Sequence, residues 1–342
     1  MSTRPDPLFD MTHRGHVPPV PQGTCRPLWS VMIPVYNGAE DLARSLGSVL
    51  AQDPGPDVMQ IEVVDDVSTC DDPEAVVRSM AGDRVAFVRQ PANVGHARNF
   101  NTCVARSRGR LVHILHADDW VAPGFYTAMG ALLDAEPSAG AAFCRHAVIG
   151  PDGATQRVSP LERPEPGIIA DWLPRIAAGL CLQPPAMVVR REAYEALGAF
   201  DIRMPSCGED WEMWVRLAVR APTAFHPEVL AFYQDSAGSL TKRAVRSGQN
   251  IRDVRQATAI TRTYLPAGAP RRANDLARRS WAHWGLYWAW QLIEGRDYAA
   301  ARISLREALL CSRAPEILRQ AAKLSLYGMR KAARERWRPS DA

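Results

Sequence analysis

Apolar residues follow two different spacings in the first 150 residues of the chain, and the two spacings alternate. Short continuous apolar runs are typical of strands in a covered parallel sheet, and apolar residues three and four positions apart are typical of helices. The pattern predicts strands over 30–36, 60–64, 84–89, 111–115 and 139–149, with helices between them. Because strand and helix alternate about every 25 residues, we expect an α/β fold with a doubly wound, mainly parallel sheet.

After residue 150 the pattern becomes less regular and then entirely helical. Helices are predicted over 168–178, 191–197 and 208–220, strands over 186–191 and 224–233, and a polar loop over 235–243. Residues 1–28 carry six prolines with little periodicity, which predicts a disordered or loosely attached leader. The predicted parts are therefore this leader, a sheet-forming domain (29–240, with halves 29–122 and 123–240) and a helical C-terminal extension (241–342).

Composition and charge narrow the class of protein. A net charge of +4 over 342 residues gives no reason to expect a nucleic-acid partner. Seven cysteines without a CxxC pair or zinc spacing indicate reduced thiols of a cytosolic protein. Neither a signal peptide nor a run of about 18 apolar residues is visible. We expect a soluble, cytoplasmic protein that contacts the inner face of a membrane at most.

Pairs of polar residues occur near the predicted ends of strands and near the starts of helices. The carboxyl ends of parallel strands share one edge of the sheet, where such folds bind ligands. The pairs are Tyr36 and Asn37, Asp65 and Asp66, Arg98 and Asn99, Asp118 and Asp119, and Glu209 and Asp210. Adjacent buried carboxylates are costly without a cation, and a divalent metal carrying a diphosphate would meet that need. Alternatively, the acids at 118–119 form a surface turn that caps the next helix.

Two nucleotide-binding motifs are missing. The first strand lacks GxGxxG, and GxxxxGK[ST] does not occur in the chain. Dinucleotide-binding and P-loop functions therefore lose their main support.

Five motifs together resemble one enzyme family, the inverting glycosyltransferases of family 2, which have the GT-A fold. They are IPVYN (33–37), EVVDDVST (62–69), NVGHARN (93–99), LHADDW (115–120) and GEDWEMWVRL (208–217). They occur in the family's order within residues 29–240. The resemblance implies a hexosyltransferase-type enzyme that uses a nucleotide diphosphate sugar, most often UDP-linked, with Mn²⁺ or Mg²⁺. The implied acceptor is a hydroxyl of a glycan, glycolipid or small molecule in polysaccharide, glycolipid or natural-product glycan assembly.

The resemblance also implies roles for the donor site. The residues implied to bind the nucleotide sugar are Pro34, Tyr36, Asn37, Asp65, Asp66, Arg98 and Asp118. The residues implied to bind the metal are Asp119, Asp118 and His116. For several of these residues, the alternative is a purely structural role. Asp65 would instead hold its loop or cap a turn, and Arg98 would form a structural salt bridge. His116 stands where many members have an acid, and it either assists the metal site or is packed in the core.

For the base that takes the proton of the acceptor hydroxyl, the resemblance points to Asp210, with Glu209 as the competitor. A first-turn acid on a helix also makes capping contacts, which is the structural alternative. Under the resemblance, the acids after the second and fourth strands converge on one cation. Lys242 or Arg243 would supply further charge to the diphosphate.

Other functions remain open at this stage. A catalytically degenerate binder of sugar nucleotides or a membrane-docked partner protein fits part of the pattern. A sugar-1-phosphate nucleotidyltransferase fits less well, because PVYNGAED lacks that class's glycine-rich, arginine-containing loop. The basic C-terminal helices would lie on an anionic membrane or pack as a cap with a solvated basic face.

Overall fold

The computed structural model describes residues 6–236 and 238–336, which form one mixed sheet covered by helices. The order of the strands across the sheet is β3-β2-β1-β4-β9-β6-β10-β5, with β7 beside β6 and β8 beside β10. The ten described strands are β1 (Trp29–Val35), β2 (Met59–Asp65), β3 (Ala86–Arg89), β4 (Leu111–Ile114), β5 (Trp120–Val121), β6 (Ala141–Ile149), β7 (Thr155–Val158), β8 (Gly167–Ile168), β9 (Met187–Arg190) and β10 (Thr223–Gln234).

The α-helices lie between and after these strands. The described α-helices are α1 (Ala39–Leu50), α2 (Pro73–Ala81), α3 (His96–Arg106), α4 (Phe125–Ala135), α5 (Trp172–Ala177), α6 (Arg191–Leu197), α7 (Glu209–Arg220), α8 (Leu240–Val245), α9 (Gln249–Tyr264), α10 (Ala269–Glu294), α11 (Tyr298–Cys311) and α12 (Pro315–Arg336). The polar loop predicted over 235–243 thus contains the start of α8, which the hydroxyl of Ser239 caps at the N–H of Lys242.

The first four strands set the position of the candidate site. β1 pairs in parallel with β2 on one side and with β4 on the other, so their carboxyl ends lie along one edge. β9 runs antiparallel between β4 and β6, which makes the sheet mixed. The α/β fold with a helical C-terminal extension, expected from the sequence, is confirmed.

Each face of the sheet carries its own hydrophobic core. Successive residues of β1 point to opposite faces, as the period of two requires: Val31 and Ile33 enter one core and Met32 enters the other. The first core is covered by α1, α2 and α4, and the second by α3, α5, α6, α7, α9 and α10.

The C-terminal helices continue the second core and add a third. Tyr264 of α9 and Ala277 of α10 belong to the same cluster as the sheet residues. Ile251, Leu286 and Ile317 belong to a separate cluster between α9, α10, α11 and α12. Among the described residues, no helix is both long enough and apolar enough to cross a bilayer.

The leader predicted to be disordered is attached where the structure describes it, from residue 6 to residue 28. Leu8 and Val17 are buried in the second core. Arg14 is buried too and donates to the carbonyl of Leu8 at 2.6 Å. The proline-rich composition concealed these few anchoring contacts, so the prediction of disorder is wrong for this part. Residues 1–5, and residues 337–342 of the predicted extension, lie outside the described residues.

Candidate functional site

The turn that follows β4 brings three side chains of metal-binding type together. His116, Asp118 and Asp119 each place one nitrogen or oxygen atom within 4.8 Å of the others. The sheet holds this turn, because β4 precedes it and β5 follows it. The backbone N–H of Gln234 on β10 also donates to Oδ1 of Asp119 at 2.9 Å. The local sequence therefore places the carboxylates, and a distant strand fixes the orientation of Asp119.

The environment of Asp119 fits a bound cation. Its side chain is wholly buried, and Oδ2 has no hydrogen-bond partner among the residues that the structure describes. Burial, and then the charge of Asp118, raise the pKa of Asp119 well above its usual range. A buried carboxylate oxygen without a donor is costly, and a divalent cation held by the carboxylates would remove that cost. The residues present fit a divalent metal site.

His116 completes this group as a neutral imidazole. Burial lowers its pKa to about 4, so the ring keeps a free lone pair at neutral pH. Its Nδ1 lies 3.7 Å from Oδ2 of Asp119. The ring also stacks on Phe100, with 4.8 Å between centroids and 19° between planes. The surroundings of His116 are therefore compatible with both interpretations from the sequence, namely assistance to a metal site and packing in the core.

The acid that ends β2 holds a loop. Both carboxylate oxygens of Asp65 accept the N–H of Ser68, at 3.1 and 3.2 Å, and Oδ2 accepts from Nε of Arg89 at 2.6 Å. Asn37 holds the same loop from β1, because its N–H donates to the hydroxyl of Ser68 at 2.8 Å and its Oδ1 accepts the N–H of Thr69 at 2.7 Å. These contacts support the loop-holding interpretation of Asp65.

Asp66 contacts the start of α3. Its two oxygens accept the backbone N–H groups of Val94 at 2.7 Å and Gly95 at 2.9 Å. Burial raises its pKa, although these two donors oppose the effect. Among the described residues, neither Asp65 nor Asp66 belongs to the group that could hold a metal. The expectation that acids after both strands share one cation is therefore wrong for those after β2.

The remaining donor-site candidates differ in exposure. Pro34 is buried within β1, next to Val64 of β2. Tyr36 follows β1 with 45% of its surface exposed, so its ring is free to contact a ligand. Arg98 is exposed on α3, and its guanidinium makes no ion pair or hydrogen bond with a described residue. The structural salt bridge considered for Arg98 is therefore not formed with the described part of the chain.

Glu209, at the start of α7, is paired with a residue that the sequence reasoning did not single out. Nε2 of His96, the first residue of α3, lies 3.1 Å from Oε1 of Glu209, and Glu209 is buried. Burial opposes the ionisation of both groups, but their mutual attraction outweighs it. The pKa of His96 is raised and that of Glu209 is lowered. Both shifts favour a carboxylate on Glu209 in contact with a protonated His96.

Asp210 is in a different electrostatic state from its neighbour. Burial, and then the negative charge of Glu209, raise the pKa of Asp210 to about 7. Its Oδ1 accepts the backbone N–H of Trp211 at 2.7 Å. A carboxylate with a pKa close to the working pH is suited to accept a proton, whereas a carboxylate held by a cation is not. The structure thus distinguishes the two acids that the sequence left as competitors.

A cavity of about 10 Å³, with room for about one water molecule, lies between Asp210 and His116 of the metal-binding group. Asp210, His116 and Phe100 all contribute to its lining. On β10, burial raises the pKa of Tyr233, and the charges of Asp119, Asp118, Asp235 and Asp210 raise it further. Tyr233 is therefore close enough to both groups of acids to be influenced by each.

A buried ion pair fixes α7 from its inner face. Nη2 of Arg216 donates to Oε2 of Glu212 at 2.8 Å, and both side chains are fully buried. The hydroxyl of Tyr264 on α9 donates to Oε1 of Glu212 at 2.9 Å. Arg216 also donates to the carbonyls of Leu197 and Ala199, at 2.6 and 2.8 Å. The helix that carries Asp210 is thus attached both to the sheet-forming domain and to the C-terminal helices.

Three residues near the site were missed. His96 lies inside the motif NVGHARN, where its position at a helix start was the available signal. Arg44 of α1 donates to the backbone oxygen of Asp118 at 3.1 Å and lies 4.0 Å from the ring centroid of Trp120. Tyr233 ends the strand predicted over 224–233, which the structure extends by one residue at each end to Thr223–Gln234. Tertiary packing alone brings Arg44 and Tyr233 to the site, so local patterns gave no signal for them.

Lys242, proposed from the sequence as a source of positive charge, has an acidic partner. Its Nζ lies 2.6 Å from Oδ1 of Asp235, the residue that follows β10. This ion pair joins the end of β10 to α8. Lys242 would have to leave Asp235 before it could contact a diphosphate.

Comparisons with known proteins agree with this geometry. Over residues 30–198 the chain matches the family model described as glycosyl transferase family 2. It is 30% identical over 241 residues to Uncharacterized protein MT1568 of Mycobacterium tuberculosis, covering 67% of this chain and 73% of that protein. It is 37% identical over 97 residues to the succinoglycan biosynthesis protein ExoU of Rhizobium meliloti, covering 28% of this chain and 27% of ExoU.

Solved structures share the fold. The chain resembles S. aureus TarS 1-349 in complex with UDP-GlcNAc with a TM-score of 0.52 and 15% identity, covering 82% of this chain and 90% of that chain. It resembles mannosyltransferase PcManGT from Pyrobaculum calidifontis, in complex with GDP-Man and Mn²⁺, with a TM-score of 0.54 and 20% identity. This second match covers 96% of this chain and 91% of that chain. At such identities the likeness establishes the fold alone.

Proposed function

The chain belongs to glycosyl transferase family 2 and is a glycosyltransferase, and we propose that it moves a sugar, with inversion, from a nucleotide diphosphate sugar to an acceptor hydroxyl. One observation carries the proposal. Asp210, with a pKa raised to about 7, lines the same cavity as His116 of the metal-binding group. A proton acceptor thus lies beside a site suited to a cation and a diphosphate.

The donor would bind along the carboxyl edge of β1, β2 and β4. TarS is described with UDP-GlcNAc and PcManGT with GDP-Man, which supports a nucleotide sugar and, in our proposal, a UDP-linked one. The exposed ring of Tyr36 is free to stack on the base. Asp65 and Asp66 shape this pocket by holding the loops at 68–69 and 94–95. Pro34, Asn37 and Arg98 complete the proposed donor site, with Arg98 facing the diphosphate and Asp118 the ribose.

Asp119, Asp118 and His116 would hold the divalent ion, Mn²⁺ or Mg²⁺. The unpaired Oδ2 of Asp119 and the neutral ring of His116 are the groups that favour this assignment. When bound, such an ion neutralises the charge that develops on a departing nucleoside diphosphate.

Asp210 would act as the general base. The acceptor oxygen forms a bond to the anomeric carbon as the bond from that carbon to the diphosphate oxygen breaks, and Asp210 takes the hydroxyl proton. A single displacement of this kind inverts the anomeric centre. Glu209 is unsuited to the role because its carboxylate is already paired with His96.

The acceptor is proposed to be a hydroxyl of a glycan, glycolipid or small molecule in polysaccharide, glycolipid or natural-product glycan assembly. ExoU is named as a succinoglycan biosynthesis protein, which supports the first of these. We place the enzyme in the cytoplasm, with peripheral contact at the inner face of the membrane through the C-terminal helices.

Slow release of nucleotide from a panel of UDP- and GDP-sugars, with and without Mn²⁺, tests the proposal. We expect Mn²⁺-dependent release of UDP or GDP from at least one donor by the unmodified protein. Binding of a donor without release would favour a degenerate binding protein. Release of pyrophosphate from a nucleoside triphosphate would instead indicate a nucleotidyltransferase. Either result would contradict the proposed transfer.

A further inference from the structure

The last described helix, α12, has an apolar face that no described residue covers. Its inner face packs through Ile317 and Ala321 into the third core. Its outer face exposes Leu318, Leu326 and Met329 by 47, 45 and 59%. Together with the exposed alanines at 322 and 333, these residues are spaced by four, four, three and four positions, which places them on one line along the helix.

The orientation of this helix is fixed by its neighbour α10. Nζ of Lys331 lies 2.7 Å from Oε2 of Glu294, and the hydroxyl of Tyr327 donates to Oε1 of the same carboxylate at 2.6 Å. Gly328 faces Ile293, where a Cβ would come within 3.3 Å of its side chain. The apolar line is therefore held outward by contacts on the opposite side of α12.

Basic side chains run beside this apolar line. Arg319, Lys323, Arg330 and Arg334 each follow an apolar-line residue by one position, and so form a parallel row. None of the four makes an ion pair with a residue in the described part of the chain. Arg319 donates to the carbonyl of Pro315 at 3.3 Å, which leaves its charge uncompensated. Cations without an acidic partner are available to an anionic surface.

A second basic group lies on the other side of the line. α11 and α12 enclose a groove of about 400 Å³, lined by Arg302, Arg306 and Arg313 together with leucines of α11 and Ser325 of α12. Ser325 stands seven positions after Leu318, next to the apolar line. Apolar side chains thus form a ridge between two groups of arginine and lysine.

The charge of this region differs from that of the rest of the chain. Residues 296–334 contain nine Lys and Arg against three Asp and Glu, a net charge of +6, whereas the whole chain carries +4. Nucleic acid and lipid headgroups both attract such charge. A nucleic-acid backbone is bound through its phosphates, however, and would leave an exposed apolar ridge without an apolar partner. A bilayer offers anionic headgroups with an apolar layer beneath them, which matches a ridge between basic rows.

We infer that the outer face of α11 and α12 docks on an anionic lipid bilayer, with α12 lying in the plane of the interface. The leucine and methionine side chains enter the headgroup boundary, and the basic rows contact lipid phosphates on both sides. This inference rests on the proposed function for its purpose, which is to bring the enzyme to an acceptor at the membrane.

Co-sedimentation of the full chain with vesicles tests the inference. We expect binding to vesicles of phosphatidylcholine and phosphatidylglycerol, and much weaker binding to phosphatidylcholine alone. Reversing three charges in Lys323→Glu, Arg330→Glu and Arg334→Glu should weaken binding by at least about 100-fold, since loss of each basic residue near an anionic surface costs roughly a factor of five and the new carboxylates repel that surface. Replacing the ridge in Leu318→Ser, Leu326→Ser and Met329→Ser should weaken it at least about tenfold.

A matched control replaces three exposed apolar residues elsewhere. Val58→Ser, Met80→Ser and Leu161→Ser remove side chains that are 38, 39 and 54% exposed, and this variant should bind vesicles as the unmodified chain does. The inference is overturned if the unmodified chain does not bind anionic vesicles, or if the ridge variant binds as well as the control. Complete displacement of the vesicles by duplex DNA at equal phosphate concentration would also overturn it.

Nucleotide release measured on the same samples separates this inference from the proposed function. A ridge variant that releases nucleotide but has lost vesicle binding supports both. If the unmodified chain releases nucleotide but does not bind vesicles, only the inference of a docking surface is contradicted. If it binds vesicles but does not release nucleotide, only the proposed transferase activity is contradicted.

Discussion

The acidic edge of the sheet and the basic face of α12 are built in opposite ways. At the edge, Asp119 is buried and oriented by Gln234 from another strand. On α12, the cations are exposed and placed by the period of one helix. The first arrangement is suited to a small ligand of fixed geometry, because tertiary contacts set the position of each group. The second is suited to a surface without a fixed geometry, because charge and apolar area act together without defined pairs.

In a site of fixed geometry, the exchange of one carboxylate oxygen for an amide nitrogen should be enough to lower activity. Asp210→Asn should lower transfer by roughly 10²- to 10⁴-fold, since removal of a general base has effects of that size. Donor binding should be retained, because Asp210 does not belong to the metal-binding group. Initial rates with donor and acceptor, together with donor affinity, measure the two effects separately.

Asp134→Asn serves as the control for this change, because Asp134 is exposed in the last turn of α4 and belongs neither to the metal-binding group nor to the cavity lining. If Asp210→Asn transfers sugar at the rate of this control, the base is another residue, and Glu209 would be examined first.

The stability of the chain should also depend on the buried ion pair that holds α7, whereas it should depend little on the exposed side chains of α12. Arg216→Met removes the ion-pair partner that lies 2.8 Å from the buried Glu212, which then keeps only the hydroxyl of Tyr264 and Arg14 at 3.8 Å. Loss of one member of a buried pair typically costs about 3–5 kcal/mol. Arg330→Met changes an exposed side chain and should alter the free energy of unfolding by less than about 0.5 kcal/mol. Denaturant unfolding of both variants measures the difference. Equal stabilities would show that the ion pair does not hold α7.

A smaller effect is expected from the pair formed by His96 and Glu209. The positive charge of His96 lowers the pKa of both Glu209 and Asp210. A base must be deprotonated, so activity is lost as pH falls through the pKa of Asp210, about 7. His96→Gln removes the opposing cation, the pKa of Asp210 rises, and the acid limb of the rate profile moves to higher pH.

The pH dependence of kcat/KM for His96→Gln, compared with the unmodified enzyme, measures this shift. The titratable groups that face His96 are Glu209 and Asp210 of α7, Asp253 of α9, Asp66 after β2 and His116 after β4. An unchanged acid limb, or one displaced to lower pH, would show that His96 does not set the ionisation of the base.

Local patterns predicted much of this molecule. The strands before Asp65 and Asp118 and the helix after Gly208 were found because their apolar spacing is regular. That regularity also placed the acids at the ends of these elements. The partners of the acids were not predicted, because Gln234 reaches Asp119 through a strand 115 positions later in the chain.

Two further differences have physical causes. The described leader is attached through a few buried residues, Leu8, Arg14 and Val17, that composition cannot reveal. In α12, the period of the sequence shows apolar residues but not which of them face the core, since Ile317 and Leu318 are equally apolar. Only the packing of α12 against α10 and α11 decides that Leu318 faces outward.

The proposed function requires that the acids after β4 bind a cation together with the diphosphate of a nucleotide sugar. The melting temperature with a UDP-sugar, with and without Mn²⁺, tests this binding in the unmodified chain, Asp119→Asn and Asp134→Asn. Because ligands that bind only the native state stabilise it, we expect a Mn²⁺-dependent rise in the unmodified chain and in Asp134→Asn, and none in Asp119→Asn. A Mn²⁺-dependent rise of equal size in Asp119→Asn would contradict the proposed binding.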